Sequence, residues 1–168
     1  MSKDKYIFGF KWLAVYQIAG GLIGMAFTFP LLLRINDFYY LSVLLIFSGF
    51  LLYSFSVYCG IMLFRSQTNS LVMSLVCQSL QAVSILGFGF FYHYVSGFSF
   101  FLILDSTESF HIRFSTSLSL FTFQTGADFV DRIIGFNLVA LGIMTILYYE
   151  IKAMAREKKS DLIESIGN

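Results

Sequence analysis

Residues 66–104, SQTNSLVMSLVCQSLQAVSILGFGFFYHYVSGFSFFLIL, contain no Asp, Glu, Lys or Arg over 39 positions. The reading of this run decides the fold. As one helix at 1.5 Å per residue it would reach roughly 58 Å, about twice the thickness of bilayer hydrocarbon. Ser96-Gly97 is also a poor helix interior. The run therefore reads as a membrane span over 70–94, ending in the aromatic group Phe90, Phe91, Tyr92 and Tyr94 around His93. The remainder, Phe98–Leu104, is read as an extended segment. That this remainder belongs instead to an overlong third span stays open.

Outward from it, three more charge-free stretches appear: 12–33, 38–64 and 133–149. The whole chain of 168 residues is 57% apolar, 19% aromatic and only 12% charged, whereas soluble domains carry about 25% charged residues. A soluble protein this apolar could not cover its surface, so lipid is the expected solvent. The expected fold is an all-α integral membrane protein, a single domain over 1–168. It is an antiparallel bundle of four transmembrane helices at about 12–33, 38–64, 70–94 and 133–151, with a C-terminal tail at 152–168. The first run follows Lys3, Lys5 and Lys11 as a secretory signal would. It is too long for a 7–15-residue signal core and reads as an uncleaved span.

Between the third and fourth spans the apolar period changes from helical to two. Phe110, Ile112, Phe114, Leu118 and Leu120 fall on one set of alternate positions, His111, Arg113, Ser115, Ser117 and Ser119 on the other. With the turn residues of 105–109, this predicts a small extracytoplasmic β-hairpin over about 97–126. An isolated hairpin is marginal in water, so those five apolar residues are expected to contact helix ends, headgroups or another protein.

Lys and Arg are concentrated in the two tails and at Arg65, against Arg34, Arg113 and Arg132 on the other side. The bias predicts both termini in the cytoplasm, with a bacterial inner membrane as the expected location. Tyr6, Tyr39, Tyr40, Tyr92, Tyr94, Tyr148, Tyr149 and Trp12 fall near span ends, as amphipathic rings at an interface do. A net charge of +1 offers no basic stripe for nucleic acid.

Polar and small residues recur at helical spacing. Gln17, Gly20, Gly21 and Gly24 share a face of the first span, and Gly20 with Gly24 forms a G-x-x-x-G pair that admits a close neighbour. Ser74, Cys77, Gln78 and Gln81 share a face of the third, and Asn137 lies in the fourth beside Gly135 and Gly142. Amides in hydrocarbon need partners, so these faces should point inward. Interhelical packing is the plainer reading; a polar lining for a solute path is the sharper one. Cys59 and Cys77 form no C-x-x-C and read as packing residues at similar depth, each a few residues from the 65–69 turn.

No ionisable residue lies deep in an expected span, which argues against proton-coupled transport and against an intramembrane hydrolase. His93, Asp105, Glu108, His111, Asp128 and Asp131 could meet at an outer rim, but their spacing matches no metal motif. No catalytic residue, cofactor or metal is expected. The expected function is contact, through helices and loop, with a membrane-protein partner or with further copies of the chain in a homo-oligomer. A small transporter or channel subunit is the alternative.

Overall fold

The structure is a computed structural model that describes residues 10–33, 40–67, 69–87, 89–107, 110–125 and 132–167. Its elements run α1 (Lys11–Leu33), α2 (Tyr40–Phe64), α3 (Ser70–Gln81), β1 (Val83–Gly87), β2 (Phe90–Tyr94), β3 (Phe98–Asp105), β4 (His111–Leu118), β5 (Phe121–Thr125), β6 (Ile133–Asn137) and α4 (Leu138–Gly167). The four-helix all-α bundle is therefore wrong. Four helices are joined by a six-stranded, wholly antiparallel sheet of order β4-β3-β6-β1-β2-β5 among the described residues.

The correction begins in the 66–104 run. The span expected over 70–94 is helical only to Gln81. Beyond Ala82 the sequence turns β-branched and aromatic, VSILG and then FFYHY, residue types that pack well on a pleated surface. Gly87 and Gly89 take positive φ at the reversal between β1 and β2, where a side chain would be strained. Tyr92 and Tyr94 accordingly belong to a strand, not to a helix end at the membrane interface. Tyr92 donates its hydroxyl to the Leu80 carbonyl at 2.7 Å and Tyr94 to that of Leu52 at 2.8 Å.

The fourth span is corrected at its start. Residues 133–137 form β6, and the helix opens at Leu138. Asn137 is the cap: its Oδ1 accepts the N–H groups of Val139 and Ala140 at 3.2 and 3.3 Å. The C-terminal tail, from 152 onward, is the helical extension that its alternation of charged and apolar residues predicts, and continues α4 to Gly167.

The outer hairpin is also larger than expected. β3 and β4 pair from Phe98↔Leu118 to Asp105↔His111, but β3 pairs equally with β6, and the ribbon continues beyond both strands. β2 and β3 are one extended chain bent at Val95-Ser96-Gly97, and β4 and β5 are its bent partner. Across the bend Val95 N–H reaches the Leu120 carbonyl at 2.8 Å, and Ser119 N–H the Gly97 carbonyl at 2.9 Å. The bend lets the two halves of one strand flank the β1–β6 pair from opposite sides.

α1 and α2 form an antiparallel pair. A Cβ on Gly24 would enter the Tyr53 ring, one on Gly21 would meet Val57, and one on Gly60 would meet Ala14 and Ile18. At one end Phe10, Leu13, Ala14, Leu63, Leu71, Ile143 and Leu147 make a shared core from all four helices. At the other end the sheet stands beside α1 and α2. Gly20 lies against the backbone of Ser96-Gly97 and Gly49 against the Phe121 ring. The G-x-x-x-G face thus admits a strand bend at Gly20 and a helix side chain at Gly24. α3 and α4 reach the sheet at their junction with it, where Asn137 N–H donates to the Ala82 carbonyl at 2.8 Å.

Three helices among the described residues are long and apolar enough to cross a membrane, at Lys11–Pro30, Val43–Phe64 and Leu138–Glu157. α3, with 12 residues, reaches about 18 Å, roughly half of the hydrocarbon thickness.

Candidate functional site

The polar residues of the helices meet at the level where the sheet begins. Gln17, Ser56, Ser74, Gln78, Gln81 and Ser96 are all fully buried. Helical spacing brings them there: Ser74, Cys77, Gln78 and Gln81 lie on one side of α3 and turn toward α1 and α2. The bonds form a chain. Ser74 donates its hydroxyl to Gln17 Oε1 at 3.1 Å. Ser96, in the strand bend, donates to the Ser56 hydroxyl at 2.8 Å, and Ser56 donates to the Gln17 backbone carbonyl at 3.1 Å. Gln81 Oε1 accepts the Ser96 N–H at 2.8 Å, while its Nε2 donates to the Cys77 carbonyl at 3.3 Å.

A second set of bonds ties the bend to α1. The Ser119 hydroxyl donates to the Gly20 carbonyl at 2.9 Å and accepts the Gly97 N–H at 3.0 Å. Ser119 itself takes a positive φ of 41°. Tyr16 donates to the Phe98 carbonyl at 2.6 Å, and its ring fills the space beside Gly97. The Gly97 N–H and the Phe98 carbonyl, backbone groups at the break in the sheet ladder, thereby gain partners.

Three polar atoms in this cluster have no hydrogen-bond partner among the described residues: Gln17 Nε2 and both Nε2 and Oε1 of Gln78. Gln78 follows Ser74 by one helical turn, so its amide lies on the same side of α3 as the Ser74–Gln17 bond. Cys59 and Cys77, both free and fully buried, face each other from α2 and α3. Cys59 Sγ donates to the Met73 carbonyl at 3.5 Å, and Cys77 Sγ accepts from Gln81 Nε2 at 3.6 Å.

The structure thus gathers Gln17, Gly20, Ser74, Cys77, Gln78 and Gln81 into one place, together with Gly21 and Gly24 at the α1–α2 contact. Asn137 stands apart as a helix cap. Ser56, Ser96, Ser119 and Tyr16 belong to the cluster without having been marked in the sequence. For α2 the signal was present: Gly49, Tyr53, Ser56 and Gly60 recur at steps of four, three and four. The bend serines carried no periodic signal.

At the far end of the sheet the expected contact residues are open. Phe110, Ile112, Phe114, Leu118 and Leu120 are between 47% and 66% exposed. β4 is an edge strand, open on nearly its whole length, with Ile112, Phe114 and Leu118 on one face and His111, Arg113, Ser115 and Ser117 on the other. Phe114 stacks on Phe100 with ring centroids 5.5 Å apart.

Of the rim residues, Asp105 and His111 are cross-strand partners, and Asp105 pairs with Arg113. The Thr107 hydroxyl and then its N–H, at 2.8 and 3.2 Å, hold the Asp105 carboxyl below the usual carboxylate range, with Arg113 adding to them. His93 does not join them. It bonds to the Ser84 hydroxyl at 3.0 Å with its ring 4.8 Å from that of Phe101. Glu108, Asp128 and Asp131 lie outside the described residues. Among those described, no three His, Cys, Asp or Glu come together as a metal site would require. Comparison with protein-family models, curated proteins and solved structures returned no match for the chain.

Proposed function

We propose that the protein is a non-catalytic polytopic inner-membrane protein that works by contact with a membrane-protein partner or with further copies of itself. One observation carries this reading: the exposed apolar run along β4 and its flanks, Phe110 to Leu120, sits on an edge strand whose ladder continues on one side alone among the described residues. An unpaired strand edge with large exposed side chains is a surface that association buries. The buried polar cluster supports the same reading. The amide of Gln81 and the Gln17 carbonyl oxygens are bonded to neighbouring elements, which is what packing requires, whereas a solute path needs such groups open to a passage.

Both termini on one side of the membrane is part of the proposal. Phe10, at the start of α1, shares a core with Leu63 at the end of α2 and Leu147 in α4. α4 continues past Leu147 with Ile151 and Met154 still packed against that core, so the start of α1 and the second half of α4 lie at the same end of the helices. The excess of Lys and Arg in those ends assigns that side to the cytoplasm. α1 and α2 then cross fully, while α3 and α4 meet the sheet part-way.

The test is the particle mass by native mass spectrometry from nanodiscs. The wild-type chain is expected with a companion protein or a second copy. Phe110→Asp with Ile112→Asp is expected to release it while leaving the thermal midpoint in place, because both side chains are exposed. A wild-type particle that is strictly monomeric and carries no companion overturns the proposal.

A further inference from the structure

The buried thiols of Cys59 and Cys77 have no part in the contact surface. They stand on neighbouring antiparallel elements, α2 and α3, joined by the short 65–69 turn, and Cys59 Sγ reaches the backbone carbonyl of Met73, one helical turn before Cys77 on α3. Their hydrogen bonds differ. Cys59 is a donor, with its S–H within 3.5 Å of the Met73 carbonyl on α3. Cys77 is an acceptor, taking the amide N–H of Gln81 at 3.6 Å. A sulfur that accepts N–H bonds is the one on which a thiolate's charge is best held. Both residues are fully shielded from solvent, so a bulky or charged oxidant is excluded and only a small uncharged one can reach them.

The geometry points to Cys59 and Cys77 as an oxidisable dithiol that hydrogen peroxide converts to an internal disulfide between α2 and α3. Cys77 sulfur attacks one peroxide oxygen and the O–O bond breaks. The departing hydroxide takes the thiol proton and leaves as water, and Cys77 becomes a sulfenic acid. Cys59 sulfur then attacks Cys77 sulfur. The S–O bond breaks, the S–S bond forms, and the hydroxyl leaves with the Cys59 proton as a second water. Two thiols lose two electrons and two protons, and one peroxide is reduced to two waters. The product staples the second half of α2 to α3, beside the Ser56 and Gln81 bonds that hold the strand bend.

The experiment treats the full-length protein in nanodiscs with hydrogen peroxide, then denatures it, alkylates free thiols and measures intact mass. The expected result is loss of two hydrogens with neither thiol alkylated, reversed by dithiothreitol. Cys59→Ser, exposed to peroxide and then denatured in dimedone, is expected to carry one dimedone adduct on Cys77. Cys77→Ser is expected to leave Cys59 as a free thiol. Full alkylation of both cysteines after peroxide overturns the inference. So does an adduct on Cys59 in Cys77→Ser with none on Cys77 in Cys59→Ser, since the nucleophile would then be the other sulfur.

Discussion

Gln78 and Gln81 offer a matched pair of substitutions with opposite expected signs. They lie on one helix, are equally buried, and differ by a single fact: Gln81 is bonded and Gln78 is not. Methionine matches the length of glutamine and removes both polar atoms. In Gln81→Met the Ser96 N–H, donated at 2.8 Å, loses its acceptor inside the protein. An orphaned buried donor costs about 1–3 kcal/mol, so the folded-to-unfolded ratio should fall by roughly five- to 150-fold at fixed denaturant. In Gln78→Met a desolvated amide without partners is replaced by a polarisable apolar chain. Its removal should be neutral or stabilising by about 1–2 kcal/mol. The separation between the two variants is thus about 2–5 kcal/mol, well outside the error of a titration. Equilibrium unfolding in mixed micelles, followed by tyrosine fluorescence or far-UV circular dichroism, measures it. Equal destabilisation by both substitutions would refute the reasoning, because it would mean that the Gln78 amide holds hydrogen bonds of the same worth as those of Gln81.

Other perturbations test other parts of the same account. Asn137→Ala removes the cap from α4 and should cost about 1 kcal/mol in the same titration, while Asn137→Asp should retain most of it. Gly20→Val places a branched side chain against the backbone of Ser96-Gly97. The cost should be at least the 1–3 kcal/mol of ordinary overpacking, with hydrogen exchange at Gly97 and Ser119 accelerated ahead of the rest of the sheet. Asp105 gives a pH dependence. Its folded-state value lies below the ordinary 3.8, so its contribution is complete above about pH 4 and is lost as the pH falls through the folded value. The thermal midpoints of wild type and Asp105→Asn should differ at pH 6, and the gap should shrink as the pH falls below 3.8; a gap that widens on acidification would contradict the assignment.

The sequence made the apolar helices legible because their signal is long and continuous. Residues 12–33 and 38–64 correspond closely to α1 and α2, since a charge-free run of more than twenty residues suits a helix in lipid. It failed where apolar content outlasted helical structure. Between Ala82 and Tyr94 no Asp, Glu, Lys or Arg interrupts the run, so hydropathy alone could not separate helix from strand. Gly87 and Gly89, together with the β-branched and aromatic enrichment that follows Gln81, were the local signs of the change. At 133–137 the same confusion arose, and Asn137, read as one more polar residue within a span, was the cap that marked the true start of the helix. The polar cluster was half legible. Stripes at steps of three and four identified Gln17, Ser74, Gln78 and Gln81, because those residues share helix faces. Ser96 and Ser119 reach the cluster through a bend in the sheet, and no period along the chain encodes it. The alternation over 110–120 revealed a strand but not its neighbours, since β3 pairs with β6 across a separation that only tertiary structure defines.

The bond from Ser119 to Gly20 joins positions 99 residues apart. If the protein is the membrane protein proposed above, its α1–α2 pair enters the bilayer during synthesis long before the residues that complete it exist. Until they arrive, the Tyr16 hydroxyl lacks its acceptor, and the Gly20 and Leu52 carbonyls and the Ser56 hydroxyl each lack a donor that bonds them in the finished molecule. A polypeptide released early, short of Ser96, would therefore display a line of hungry dipoles to surrounding oil. Such fragments should be prime substrates for membrane quality control, and the stretch from Tyr94 to Ser119 is what makes the first third of the protein safe to keep.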